Sequence, residues 1–140
     1  MNEIRQRILN IIRPAHLASL ATFSEDGKPW VRYVIPRADE DLIIRIATRV
    51  NSRKVAQIRK NPEVHLTCGV MDPRNVDTFL QIQGRAEFTT DREERESFWD
   101  THLENVFKGP NDSEYGIIRI TPYRIEVWEE GGHEPELWEA

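Results

Sequence analysis

Apolar residues at positions 4, 8, 11 and 12 (Ile4, Ile8, Ile11, Ile12) recur at helical spacing after Asn2 and predict a short amphipathic opening helix. The period then shortens. "HLASLATF" reads as a strand, "SEDGKP" as a turn around Asp-Gly, and "WVRYVIPR" as the returning strand of a hairpin. After the turn "ADED", the run "LIIRIAT" is continuously apolar and bounded by turn residues, the pattern of a buried strand. "EVHLTCGV" is a fourth strand. "TFLQIQGRAEF" alternates as a fifth, with Gly84 marking a bulge or a close approach.

Two further segments carry helical spacing. In "ATRVNSRKVAQIRKNP", Ser52 stands at an N-cap position, Val55 and Ile58 make one apolar face, and Asn61-Pro62 stops the helix. In "TDREERESFWDTHLENVF", Thr90 and Glu93 have capping-box spacing, and Phe98, Trp99, Leu103 and Val106 predict one continuous helical face. "GIIRITPYRIEVW" closes the pattern as one long strand or two short ones, with Pro122 at the break or at an edge. Six or seven strands joined mainly by short turns, with three helices, predict a mainly β fold: a small antiparallel barrel with helices added.

Composition narrows the class. The 140 residues suit a single domain spanning 1–140, and 39% apolar against 31% charged residues argues against disorder. No apolar run is long enough to span a bilayer, and "MNEIRQRILNIIRP" lacks the apolar core of a signal peptide. One cysteine cannot staple the fold, which makes a cytoplasmic protein the expectation.

Charge changes the picture further. The formal net charge is −5, yet Lys28 to Lys60 holds nine Lys/Arg against three Asp/Glu, while Glu126 to Ala140 holds six glutamates and no base. An acidic chain with one basic segment fits a compact anionic ligand better than a long nucleic acid. A solvated basic face is the other reading of the same charges.

The basic helix sharpens the choice. Arg53 and Lys54 occupy its first turn, with Arg49 just upstream, so cations face the positive end of the macrodipole at roughly 0.3–1 kcal/mol each. A doubly charged phosphate at this end would turn the opposition into cooperation, because free backbone N–H groups and cations would both point at it. Thr48 and Ser52 could add hydroxyl donors; otherwise the cations extend into water. Arg32 and Arg37 lie five residues apart, on opposite faces of a regular strand, and could share a ligand only if the strand bends or ends near Pro36.

Other chemistry is sparse. His16, His65, His102 and His133 show no metal-ligand spacing, and Cys68 sits in a strand pattern as a small hydrophobe. There is no Gly-rich phosphate loop, nucleophile elbow or paired-carboxylate signature. Of the four tryptophans, Trp128 ends a strand just before "EEGG" and could stack on a ring system.

The order "RYVIPR … ATRVNSRK … NP … QGRAEF … TPYRIEVW" resembles the pyridoxamine 5′-phosphate oxidase-like FMN-binding split β-barrels, from about Leu17 to Gly131. The resemblance implies a homodimer with FMN at the subunit interface. It assigns FMN binding to Arg32 and Arg37, to Ala47, Thr48, Ser52, Arg53 and Lys54 around the phosphate, and to Trp128, reaching the flavin from the partner chain. It departs from the vitamin-salvage oxidases in three places. The Arg-Leu-His-Asp-Arg-like substrate motif is replaced by "EEGGHEPELWEA", Phe79 stands where a flavin-contacting Gln is found, and the middle-helix Tyr/Arg/Ser set has no counterpart. A smaller relative of the general-stress-protein kind is therefore the expectation: an FMN-dependent oxidoreductase of unknown substrate and redox partner, without a metal, a nucleic acid or a membrane. The alternatives are a non-catalytic flavin carrier or redox sensor, and the same barrel using deazaflavin or haem.

Overall fold

The computed structural model describes residues 2–140, with side chains from Glu3 onward. Helix α1 (Asn2–Ile12) buries Ile8, Leu9 and Ile12, and Ile4 and Ile11 pack at the edge of the same core. A capping role for the Asn2 side chain lies outside the described residues.

Eight strands form one antiparallel sheet: β1 (Ala18–Phe23), β2 (Pro29–Val34), β3 (Arg37–Ala38), β4 (Ile44–Arg49), β5 (Glu63–Cys68), β6 (Thr78–Thr89), β7 (Tyr115–Glu129) and β8 (Glu136–Glu139). Their order is β2-β1-β5-β6-β7-β4-β3, with β8 added beside β7. Alternation sets the inner face: Leu20, Leu66, Leu80, Ile82, Ile120 and Ile125 point into one core, against which α1 packs. The sheet curls into a half-barrel, in line with the mainly β antiparallel barrel that the sequence predicts.

The strand count exceeds the predicted six or seven for two local reasons. "RYVIPR" is not one strand, because Ile35-Pro36 interrupts it and Arg37–Ala38 pairs separately with Arg45 and Ile44. The acidic end is not merely a tail, since Glu136–Glu139 pairs with Arg124–Val127 and Trp138 packs on the core. Two of its neighbouring carboxylates, Glu129 and Glu136, both pair with Arg7 of α1.

Strand β7 is continuous through Pro122. The register shift falls opposite it, between Gln83 and Gly84 of β6, where Gly84 pairs with Pro122. Close approach explains the glycine: a Cβ there would lie 2.9 Å from Ile120 Cγ2 and 3.0 Å from the Thr121 carbonyl oxygen. This bend lets the first half of β7 pair with β4 and the second half with β8.

Helix α2 (Arg53–Lys60) buries Val55, Gln57 and Ile58 and ends at Asn61 as predicted. The third helix is shorter than its spacing suggests. α3 (Arg92–Phe98) is capped by Asp91, whose carboxylate accepts from the Glu94 amide, so the Thr90/Glu93 capping box does not form. Trp99 is extended, and a separate 3₁₀ turn covers Thr101–Asn105, capped by Asp100. The break lets Phe98, Trp99 and Leu103 converge with Phe107, Tyr115, Ile117 and Ala47 in a second small core, while Val106 remains exposed.

Candidate functional site

This second core forms one wall of a groove of about 860 Å³ running past the start of α2. Strand β4 places alternate residues around it: Ile46 and Thr48 are buried, while Ala47 packs against the second core. Five of the eight candidate residues line the groove, namely Arg37, Ala47, Thr48, Ser52 and Lys54. Arg32, Arg53 and Trp128 are not among the residues that line it.

The polar end of the groove is built around the first turn of α2. Thr48 is buried, and its Oγ1 has no hydrogen-bond partner among the described residues. Such a hydroxyl costs about 1–3 kcal/mol unless something accepts or donates to it. Ser52 occupies the N-cap position with extended backbone, but its side chain makes no cap bond. Instead, Ser52 Oγ accepts from Lys54 Nζ at 3.0 Å. Burial, and then the charge of Arg32, push the Lys54 ammonium below its ordinary pKa.

Arg32 and Arg53 complete a cationic cluster. Arg53 lies over the Trp30 ring, 5.0 Å from its centroid. Arg32 is held by neutral acceptors, including Thr22 Oγ1 at 2.7 Å and Gln57 Oε1 at 2.9 Å. Burial, and then the charge of Arg53, disfavour its protonated form. Among the described residues none of Arg32, Arg53 and Lys54 is paired with a carboxylate, whereas Arg45 nearby on β4 bonds both Asp39 and Glu94. Arg32, Arg53 and Lys54 therefore keep their charge at the start of α2, where Lys54 lines the same groove as the Thr48 hydroxyl, and a helix start with free amides and cations suits an anion.

Arg37 belongs to the other end. The strand is interrupted at Ile35-Pro36, so Arg37 leaves the β2 pairing and its guanidinium sits 3.7 Å from the Phe98 ring centroid while donating to the Phe98 carbonyl. Arg32 and Arg37 thus do not share one wall. Near Arg37, Asp100 holds His102, with Nδ1 at 2.7 Å from the carboxylate, and both residues line the groove. Leu17, Tyr33, Ile35 and Val106 are exposed apolar side chains that also line it.

Trp128 stacks parallel to Phe79, with centroids 6.2 Å apart and planes 6° apart, and its Nε1 donates to Glu126 Oε1 at 3.0 Å. It takes no part in the groove of its own chain. Among the described residues no group of three His, Cys, Asp or Glu could hold a metal ion, and no helix is long and apolar enough to cross a membrane. Cys68 is buried, and burial pushes its thiol up to about 12, so it behaves as a core hydrophobe.

Gln57 and Thr22, the two buried side chains that accept from Arg32, were not legible as site residues. Gln57 could have been noticed as a polar residue inside the buried face Val55–Ile58. Thr22 carried no comparable signal.

The profile of the pyridoxamine 5′-phosphate oxidase family matches residues 4–129, nearly the whole chain. The chain belongs to that family. General stress protein 26 of Bacillus subtilis (strain 168) is 29% identical over 133 residues, which cover 95% of this chain and 94% of the relative. The crystal structure of general stress protein 26 from Bacillus anthracis str. Sterne superposes with a TM-score of 0.85 at 24% identity, over 99% of both chains. A solved F420 reductase matches at a TM-score of 0.63 and 25% identity, over 82% of this chain and 91% of that one. Members of the family commonly bind flavin or deazaflavin.

Proposed function

We propose that this protein is an FMN-dependent oxidoreductase that works as a homodimer. The observation that carries the reading is the cluster of Arg32, Arg53 and Lys54, without carboxylate partners among the described residues, together with the Thr48 hydroxyl that lines the groove with Lys54 and has no partner among them. The FMN phosphate would sit at the start of α2, bound by Thr48, Ser52, Arg53, Lys54 and the α2 amides, with Arg32 contributing charge from behind. The isoalloxazine would lie along the apolar part of the groove, past Ala47. When bound, FMN supplies electron transfer; the chain supplies binding, orientation and exclusion of water.

The exposed apolar side chains Leu17, Tyr33, Ile35 and Val106 support a second copy closing the groove, and Trp128 would then reach the flavin of the partner. The likeness in fold to the solved F420 reductase favours one competing reading, in which the same groove takes a deazaflavin.

Protein purified without added cofactor is expected to show flavin absorbance, with FMN identified by mass after release. A deazaflavin chromophore would transfer the function to the competing reading. A colourless protein that takes up neither FMN nor deazaflavin would refute both. Sedimentation is expected to give twice the chain mass of 16.4 kDa. Reduction of the bound flavin by a nicotinamide or another donor, followed by transfer to an added acceptor, would separate an enzyme from a carrier or sensor.

A further inference from the structure

Arg32 is surrounded by acceptors that carry no charge. Nη1 donates to Thr22 Oγ1 at 2.7 Å, to the Trp30 carbonyl at 3.1 Å and to the Leu20 carbonyl at 3.3 Å, and Nη2 donates to Gln57 Oε1 at 2.9 Å. Thr22 and Gln57 are themselves buried, at 2% and 6% exposure, and Thr22 Oγ1 donates to Gln57 Oε1 at 2.5 Å. A guanidinium has only donors, so the Gln57 amide must present its oxygen. The result is a closed triangle linking β1, β2 and α2.

A partly buried arginine is ordinarily held by a carboxylate, as Arg45 is by Asp39 and Glu94. Glutamate at position 57 would fit the same space and offer stronger acceptors. It would also cancel the charge of Arg32, which otherwise acts on Lys54. The amide fixes the guanidinium and leaves its charge unspent.

We propose that Gln57, assisted by Thr22, is a positioning residue that holds Arg32 without neutralising it, so that its charge adds to the attraction for a phosphate monoester at the start of α2. The proposal rests on the phosphate-site reading above and gives that site a determinant outside the groove wall. Gln57 sits one helical turn after Arg53, on the same side of α2, which places support and clamp on one rigid element.

The decisive variant is Gln57→Glu in the full chain. Thermal midpoints would be measured alone, with inorganic phosphate and with FMN, and dissociation constants for FMN and riboflavin would be taken across a salt series. Gln57→Glu is expected to be at least as stable as wild type without ligand. Its FMN affinity is expected to fall tenfold or more, with a shallower salt dependence, while riboflavin affinity is unchanged because riboflavin lacks the phosphate. Wild-type FMN affinity in this variant would overturn the proposal. Stabilisation of wild type by phosphate but not FMN, lost in Gln57→Glu, would uphold the role of Gln57 and refute the FMN reading. A wild type that responds to neither would overturn both. If Gln57→Glu does not fold, Gln57→Met releases Arg32 with all charges kept. Weaker FMN binding at an unchanged salt slope would then support the proposal, and unchanged binding would overturn it.

Discussion

Lys54 Nζ donates to Ser52 Oγ at 3.0 Å, so the serine placed to cap α2 holds a lysine instead of a backbone amide. The helix start is thereby left open toward the groove. Ser52→Ala should cost well under the ~1 kcal/mol typical of a lost N-cap, whereas Asp91→Ala, which removes a cap bond of 3.2 Å in α3, should cost about that much. Urea unfolding of the two variants checks the contrast. FMN affinity should fall in Ser52→Ala only.

Thr48→Val replaces a buried hydroxyl that has no partner among the described residues with a methyl of similar size. Relief of the unsatisfied group should leave the ligand-free protein as stable as wild type or more so, by up to about 1 kcal/mol. FMN binding should weaken at the same time. A variant both less stable and equally competent to bind FMN would show that the hydroxyl has a structural partner and no ligand.

The depressed pKa of Lys54 predicts a pH signature. Burial and Arg32 make its folded pKa lower than the unfolded value of about 10.4, so the unfolded chain holds this proton more tightly and the charge costs stability at neutral pH. That cost is complete below the folded pKa and fades as pH rises toward the unfolded value. Ligand-free Lys54→Met should therefore exceed wild type in stability at pH 7, with the gap narrowing toward pH ~10. Paired denaturant titrations at the two pH values read this difference directly. A constant gap would mean that the ammonium is not penalised in the fold.

Asp39 predicts the opposite limb. Burial raises its pKa, but hydrogen bonds from Arg45 and from the Ile43 and Asp41 amides more than offset this and lower it. The turn it organises carries Leu42 at φ 65, an unfavourable conformation for a side chain that is fully buried. Asp39→Ala should cost about 1–2 kcal/mol at neutral pH. The ionised carboxylate stabilises above its unfolded pKa, and that contribution is lost as pH falls through the folded one. The deficit of the variant should therefore shrink below pH ~3.9, as measured by acid unfolding of both proteins.

Most strands could be read because their inner residues alternate with polar ones, as in Val64, Leu66 and Cys68 of β5, and that period survives any tertiary context. The third helix shows the limit of such periods. Phe98, Trp99 and Leu103 do face one core, but a helix break between them does the job that a continuous helical face was expected to do. The two added strands were hidden because each is too short to show a period, and their pairing depends on neighbours distant in sequence.

Sequence alone determined the mainly β, antiparallel barrel class, the basic helix start and the candidates Thr48, Ser52, Arg53 and Lys54, because period, caps and charge are local properties. Tertiary structure decided which cations remain without a carboxylate. Arg45 and Arg32 look alike as basic residues in strands, yet folding gives one two acidic partners and the other a buried amide and a hydroxyl. It also set Arg37 apart from Arg32 through the strand break at Ile35-Pro36, and Trp128 apart from the groove. Those outcomes depend on which side chains meet across β1, β2, α2 and α3, a relation that no window of the sequence contains.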